Sequence, residues 1–135
     1  MKKFFLILFL LLQTRMAFGA KLSVLDEAAQ LGTMAGLAQA CGAQKKLDDY
    51  ELIAARIIAN KSGSIEAEQM GYRRYAEEKV NAAKIHLKSP KMSCSEIIHR
   101  FEKMPIFKSI VYKDGSLKFY DGTFYPAKGM YAIKK

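Results

Sequence analysis

Residues 23–41 of the chain, SVLDEAAQLGTMAGLAQAC, decide the kind of fold that the sequence predicts. Ser23 is a residue type that caps helix N-termini, and Asp26 and Glu27 suit the positive end of a helix dipole. Small residues recur at every fourth position: Ala28, Gly32, Gly36 and Ala40. Two glycines inside a helix cost about 1 kcal/mol each against alanine, which a closely packed neighbour would explain. We therefore expect a first helix that another helix approaches closely.

Three further helices follow in the pattern. Residues 49–60 form the second, with Asp48 as its cap, and residues 65–87 form the third, capped by Ser64. The fourth begins after Ser93. The spacing of apolar residues predicts an inner face for the third helix: Ile65, Tyr72, Ala76, Val80, Ala83 and Leu87.

The two cysteines connect distant parts of this pattern. Cys41 ends the first helix and Cys94 lies in the first turn of the fourth. An even number of cysteines in an exported chain favours a disulfide, and neither belongs to a Cys-x-x-Cys pair that would indicate a metal. The fold class is therefore mainly α, of α+β type: a four-helix bundle clasped by a disulfide and followed by a small C-terminal antiparallel β-meander.

The meander is predicted from two Asp-Gly turns, at Asp114-Gly115 and Asp121-Gly122. Read as two-residue hairpin loops, they place Tyr112 opposite Leu117, Ile110 opposite Phe119, and Phe119 opposite Phe124. These five side chains then share the side that packs on the bundle, near Phe101 and Phe107. The opposite, solvent side carries Val111, Lys113, Lys118, Tyr120 and Tyr125.

The N-terminus is typical of a cleavable signal peptide. Lys2 and Lys3 precede an unbroken apolar run over residues 4–12, and small residues allow cleavage between Gly19 and Ala20. Nine residues of helix are too short to cross a bilayer core of about 30 Å, so we expect no transmembrane segment once the leader is removed. The expected organisation is a leader over 1–19, a helical domain over 20–107, and the meander and tail over 108–135. The protein is expected to be exported, either periplasmic or secreted.

No catalytic, cofactor-binding or metal-binding residue is assigned from the sequence. Glu96 and His99 make one Glu-x-x-His step, but a dimetal site needs a second copy and further inward glutamates. We expect both to face solvent, and His86 to be an ordinary surface or edge histidine.

The distribution of charge points to a partner. Residues 84–135 contain 11 Lys and Arg against 4 Asp and Glu, a net charge of +7. We expect a non-enzymatic binding or accessory protein whose basic C-terminal region engages an anionic envelope component or an unknown protein, with nucleic acid less favoured. The candidate surface is Lys113, Lys118, Tyr120 and Tyr125. A small cell-wall hydrolase with a carboxylate pair, and a periplasmic stress chaperone or inhibitor/immunity-type protein, remain alternatives; the oligomeric state is open.

Overall fold

A computed structural model describes residues 23–128 of the protein, so the predicted leader, its cleavage at Gly19–Ala20 and the end of the tail lie outside the described residues. Over residues 23–128 the chain forms four α-helices, a short 3-10 helix and three two-residue strands. In chain order these are α1 (Val24–Ala40), α2 (Gln44–Lys61), α3 (Ile65–Lys88), α4 (Cys94–Glu102), the 3-10 helix (Pro105–Lys108), β1 (Ile110–Val111), β2 (Leu117–Lys118) and β3 (Phe124–Tyr125). The strands form one antiparallel sheet in the order β1-β2-β3, which confirms the predicted fold class.

Serine caps fix the beginnings of three helices. Ser23 Oγ accepts a hydrogen bond from the Asp26 amide at 3.2 Å, and Ser64 Oγ accepts one from the Ala67 amide at 3.1 Å. Ser93 does the same for α4 through the Glu96 amide at 3.2 Å. Each cap satisfies an amide that would otherwise lack a partner in the first helical turn. These three predicted starts are confirmed.

The predicted start of α2 was wrong by about one turn. α2 begins at Gln44 rather than residue 49, and its N-cap, Ala43, makes no side-chain capping bond. Asp48 lies inside the helix, where its carboxylate accepts a hydrogen bond from Gln44 Nε2 at 2.9 Å. Leu47 explains the extension, because it is 1% exposed and its burial in the core holds the additional turn in helical conformation.

Another helix closely approaches the row of small residues on α1, as predicted, and the structure identifies that helix as α3. A Cβ on Gly32 would overlap the carbonyl oxygen of Tyr75, and one on Gly36 would overlap that of Lys79 and come within 2.9 Å of Ala82 Cβ. Moving four residues along α1 moves the contact four residues along α3 in the same direction, so the two helices run parallel. Their backbones are almost in contact. This is the most extensive helix–helix contact within residues 23–128, and it positions the site described below.

The face of α3 that packs inward differs from the predicted one. Ile65 is 69% exposed and Leu87 is 71% exposed, and Val80 is also exposed. Tyr72 and Ala83 are the two predicted inner residues that are half-buried. Further buried or half-buried positions lie nearer α1 and the core: Glu68, Gly71, Tyr75, Lys79, Ala82 and His86. The groove left by small α1 residues accepts the backbone and short side chains of α3, so the larger apolar residues lie outside the contact.

The main core lies between α1, α2, α4, the 3-10 helix and the inner face of the sheet. Tyr50 and Phe101 are fully buried with ring centroids 5.2 Å apart, and Phe107 lies 5.2 Å from Phe101. Burial raises the pKa of Tyr50, whose hydroxyl donates a hydrogen bond to the Leu31 carbonyl at 2.9 Å.

The hairpin register differs from the predicted one by one residue. Both loops contain three residues, and their glycines, Gly115 and Gly122, adopt the left-handed conformation with φ near +89°. Val111 pairs with Leu117, and Leu117 pairs with Tyr125. In each loop an aspartate accepts a hydrogen bond from the amide two residues later, which favours a type I turn followed by a glycine bulge over a two-residue turn.

The corrected register changes which residues face the bundle. Val111, Leu117 and Tyr125 face inward and contact the core, whereas Ile110, Lys118 and Phe124 face outward. Leu117 is fully buried, as expected, and Val111 and Tyr125 were placed on the wrong side.

Candidate functional site: a cleft beside the disulfide

A cleft of about 310 Å³ opens between α1, α3 and the segment that leads into α4. By surface area most of its wall is apolar, and the apolar residues are Leu37, Ala82, Ile85, Met92 and Ile97. The remaining lining is polar or charged: Thr33, Glu78, Asn81, His86, Ser89 and Lys91. A volume near 300 Å³ with an apolar wall and a few polar groups is within the range of small-ligand sites.

The local sequence explains why the cleft is open. α3 ends at Lys88, and Pro90 disfavours helical conformation at the residue before it. The chain therefore leaves the helix axis over residues 89–93 before Ser93 begins α4, and this turn carries Lys91 and Met92 to the rim. Ile85 is 63% exposed on the other side of the opening, so the wall presents an apolar side chain to solvent.

The two charged groups on the rim differ in their partners. The Glu78 carboxylate pairs with Arg74 at 3.1 Å, one helical turn away. Lys91 is exposed and forms no ion pair with any residue in 23–128. Because Glu78 is already neutralised locally, the uncommitted charge at the cleft is positive.

The disulfide lies next to the cleft and contacts His86, which is one of the residues that line it. The structure pairs Cys41 with Cys94, with Cα atoms 5.1 Å apart, and so joins the end of α1 to the first turn of α4 as predicted. His86 Nε2 lies 3.6 Å from each of the two sulfur atoms. The prediction of a surface or edge histidine was wrong, because His86 is only 8% exposed and its ring lies between the disulfide and the cleft.

The structure does not bring the predicted partner surface together. Lys118 lies on the outer face of the sheet, while Tyr125 lies on the inner face against the core. Lys113 and Tyr120 belong to the two hairpin loops and are exposed. The error follows from the one-residue register shift at each hairpin, which reverses the two faces of β1 and of β3 relative to β2. Lys118 is instead flanked on its face by exposed Ile110 and Phe124.

The residues considered for catalysis lie outside the cleft. Glu96 and His99 are exposed, as expected, and Glu96 pairs with Arg100 at 2.7 Å. The cleft contains a single carboxylate, Glu78, so it does not supply the acid pair that glycoside hydrolysis needs. One cluster of three potential metal ligands occurs within residues 23–128. It consists of Cys41, His86 and Cys94.

Sequence reasoning missed both the cleft and the position of His86. Once the pairing is known, the spacing explains the position of His86, because a parallel alignment that brings Gly32 to Tyr75 also brings Cys41 towards His86. The pairing itself is a tertiary feature, and periodicity along one helix does not specify it.

Among the described helices, none is both long enough and apolar enough to span a bilayer. No protein-family model matches the chain, and searches of curated proteins and of solved structures give no significant match either.

Proposed function

We propose that the chain is a small exported binding protein, without enzymatic activity, that holds an anionic amphiphile in the cleft between α1, α3 and α4. The observation that carries the proposal is the combination of an apolar wall with Lys91 as the uncommitted charge on its rim. An apolar chain would replace water against Leu37 and Ile97, and an acidic head group would lie beside the ammonium group.

Two features of the whole chain support this assignment. The segment that carries Lys91 is basic, because residues 84–91 contain Lys84, Lys88 and Lys91 and no Asp or Glu, and this favours an anion near the rim. The leader pattern and the Cys41–Cys94 pair fit a protein of an oxidising compartment, where envelope lipids and their acidic breakdown products are available ligands.

The proposal is tested with two probes that share a tail and differ in charge, decanoate and decanol, by calorimetry on the oxidised protein. Decanoate should bind with a stoichiometry of one and more tightly than decanol. Lys91→Glu should weaken decanoate binding by roughly fivefold or more, because it replaces an attraction with a repulsion, and should leave decanol binding unchanged. If the wild type and Lys91→Glu bind decanoate with equal affinity, Lys91 does not contribute to binding.

The apolar wall is tested by a matched pair of substitutions on the last turns of α3. Ile85→Asp places a charge in the wall and should abolish binding of both probes. Leu87→Asp makes the same chemical change at a similarly exposed position that does not line the cleft, so binding should persist. If both variants bind like wild type, the cleft is not the site.

The exposed outer face of the sheet supports a second candidate, a protein-binding surface centred on Lys118. Ile110 is 50% exposed and Phe124 is 58% exposed on that face, and aromatic and aliphatic side chains beside a cation are common in interfaces. Charge reversal by Lys113→Glu with Lys118→Glu should then weaken association with envelope material in a salt-dependent way. Unchanged recovery in affinity capture from envelope extracts would exclude this surface.

A further inference from the structure

The surroundings of the disulfide contain a third group that the clasp does not need. Cys41 follows α1, His86 belongs to α3 and Cys94 begins α4, and their ligand atoms lie within 4.8 Å of one another. His86 Nε2 faces both sulfurs at 3.6 Å. The disulfide alone joins α1 to α4, whereas the three side chains together also include α3.

These distances correspond to those of a zinc site. With Zn–S near 2.3 Å and Zn–N near 2.0–2.1 Å, a tetrahedral ion sets its nitrogen and sulfur ligands about 3.6 Å apart. Both nitrogen–sulfur distances already have that value. The remaining requirement is that the two sulfurs separate to about 3.8 Å, which side-chain rotation at two cysteines provides once their bond is broken.

We propose that the reduced chain binds one Zn²⁺ through Cys41 Sγ, Cys94 Sγ and His86 Nε2, and that this metal clasp is the alternative to the disulfide. A dithiol supplies two electrons and two protons to the Cys41–Cys94 bond and leaves as a disulfide. Zinc then displaces both thiol protons to solvent, so the two thiolates neutralise the charge of the ion. The fourth position is open to water or to a group in the cleft, because His86 also lines the cleft.

The local environment favours this exchange. Cys41 and Cys94 are half-buried and lie outside the main core, so the clasp is close to the protein surface. Cys94 lies in the first turn of α4, where the helix dipole stabilises a thiolate. His86 is held in place by the close α1–α3 contact, so one ligand is positioned before the metal arrives.

The experiment compares oxidised protein with protein reduced by a water-soluble phosphine, which takes the disulfide to two thiols as it becomes the phosphine oxide. Zinc binding is measured by competition with a chromophoric chelator, and Co²⁺ absorption reports the ligand set. The reduced wild type should bind one Zn²⁺ and the oxidised protein none. Zinc should also raise the thermal midpoint of the reduced protein without changing that of the oxidised protein.

Two histidine variants provide the decisive comparison. His86→Ala should weaken zinc binding by the reduced protein at least about tenfold, since loss of even an outer-shell partner costs 10–100-fold. His99→Ala removes an exposed histidine from α4 and should bind like wild type. Circular dichroism of each oxidised variant checks that its fold is retained, and Cys41→Ser supplies a second ligand removal. Reduced wild type that binds no zinc, or His86→Ala that binds as tightly as wild type, would overturn the proposal.

Discussion

The contact between α1 and α3 makes a sharp prediction for Gly36→Ala. Alanine favours helix over glycine by about 1 kcal/mol, so an isolated α1 would gain stability from the change. In the folded protein the new methyl group would overlap the Lys79 carbonyl oxygen and lie 2.9 Å from Ala82 Cβ. Carbon atoms in contact normally sit about 3.5–4.0 Å apart, so the two helices must separate by roughly 1 Å.

The magnitude follows from these opposing effects. Inserting a methyl group into a closely packed contact costs typically 1–3 kcal/mol, and the upper end applies because the obstacle is backbone on a long helix that cannot rotate away. Subtracting the helix preference of alanine leaves a net loss of about 2 kcal/mol. Gly32→Ala should behave similarly against Tyr75, and the double variant should lose less than the sum because one separation relieves both overlaps.

Urea unfolding of the oxidised protein, followed by circular dichroism, measures this loss as a shift of the midpoint at unchanged slope. Gly63→Ala is the matched control, because no atom lies within 4 Å of its added methyl group and its φ is not left-handed. That variant should be unchanged or slightly more stable than wild type. If Gly36→Ala proves as stable as Gly63→Ala, the close approach of α1 and α3 is refuted.

Further predictions concern the core tyrosines and the clasp. Tyr50→Phe should cost about 1 kcal/mol in urea unfolding by removing the bond to the Leu31 carbonyl, whereas Tyr75→Phe should be neutral or stabilising, because the buried Tyr75 hydroxyl has no hydrogen-bond partner among the described residues. Burial raises the pKa of both phenols, so the folded state holds their protons more tightly than the unfolded state does. The resulting contribution to the free energy of unfolding should be present in full below about pH 10 and should be lost as the pH rises above that value. Phenolate absorbance of these two groups should appear only when the protein unfolds. Titration of every tyrosine near about pH 10 in the folded protein would contradict this expectation for Tyr50 and Tyr75. Replacing Cys41 and Cys94 together with serine should cost about 4 kcal/mol in the same urea assay, since the bond spans a sequence separation of 53; a loss below 1 kcal/mol would show that the clasp restrains little.

Local features of the fold were predictable because their causes are local. Ser23, Ser64 and Ser93 each bond to an amide three residues later, so the sequence alone contains both partners of the capping contact. The exception, α2, begins at Gln44 because of the burial of Leu47, and burial depends on elements that lie elsewhere in the chain.

The sheet shows how a small local choice changes a surface. Asp-Gly is compatible with a two-residue turn and with the last two positions of a three-residue loop, and the difference is one residue of register. Hydrogen bonds from the amides of Ser116 and Thr123 to the preceding aspartates favour the longer loop at both turns. The consequence reaches function, because it buries part of the predicted partner surface and leaves Lys118 beside exposed apolar residues.

The position of His86 depends on helix pairing rather than on helix propensity. Gly32 lies against Tyr75 and Gly36 against Lys79, and the same parallel alignment continues to the end of α1, where Cys41 lies beside His86. Cys94 reaches the same point because the turn after α3 brings α4 back towards α1. The glycines that let two backbones meet therefore also help to assemble the only group of three or more potential metal ligands within residues 23–128, and α1 and α3 both contribute residues to the cleft. One packing arrangement thus determines three properties: the stability of the α1–α3 contact, the ligand geometry at the sulfurs and the shape of the cleft. A substitution that separates the two helices should perturb all three.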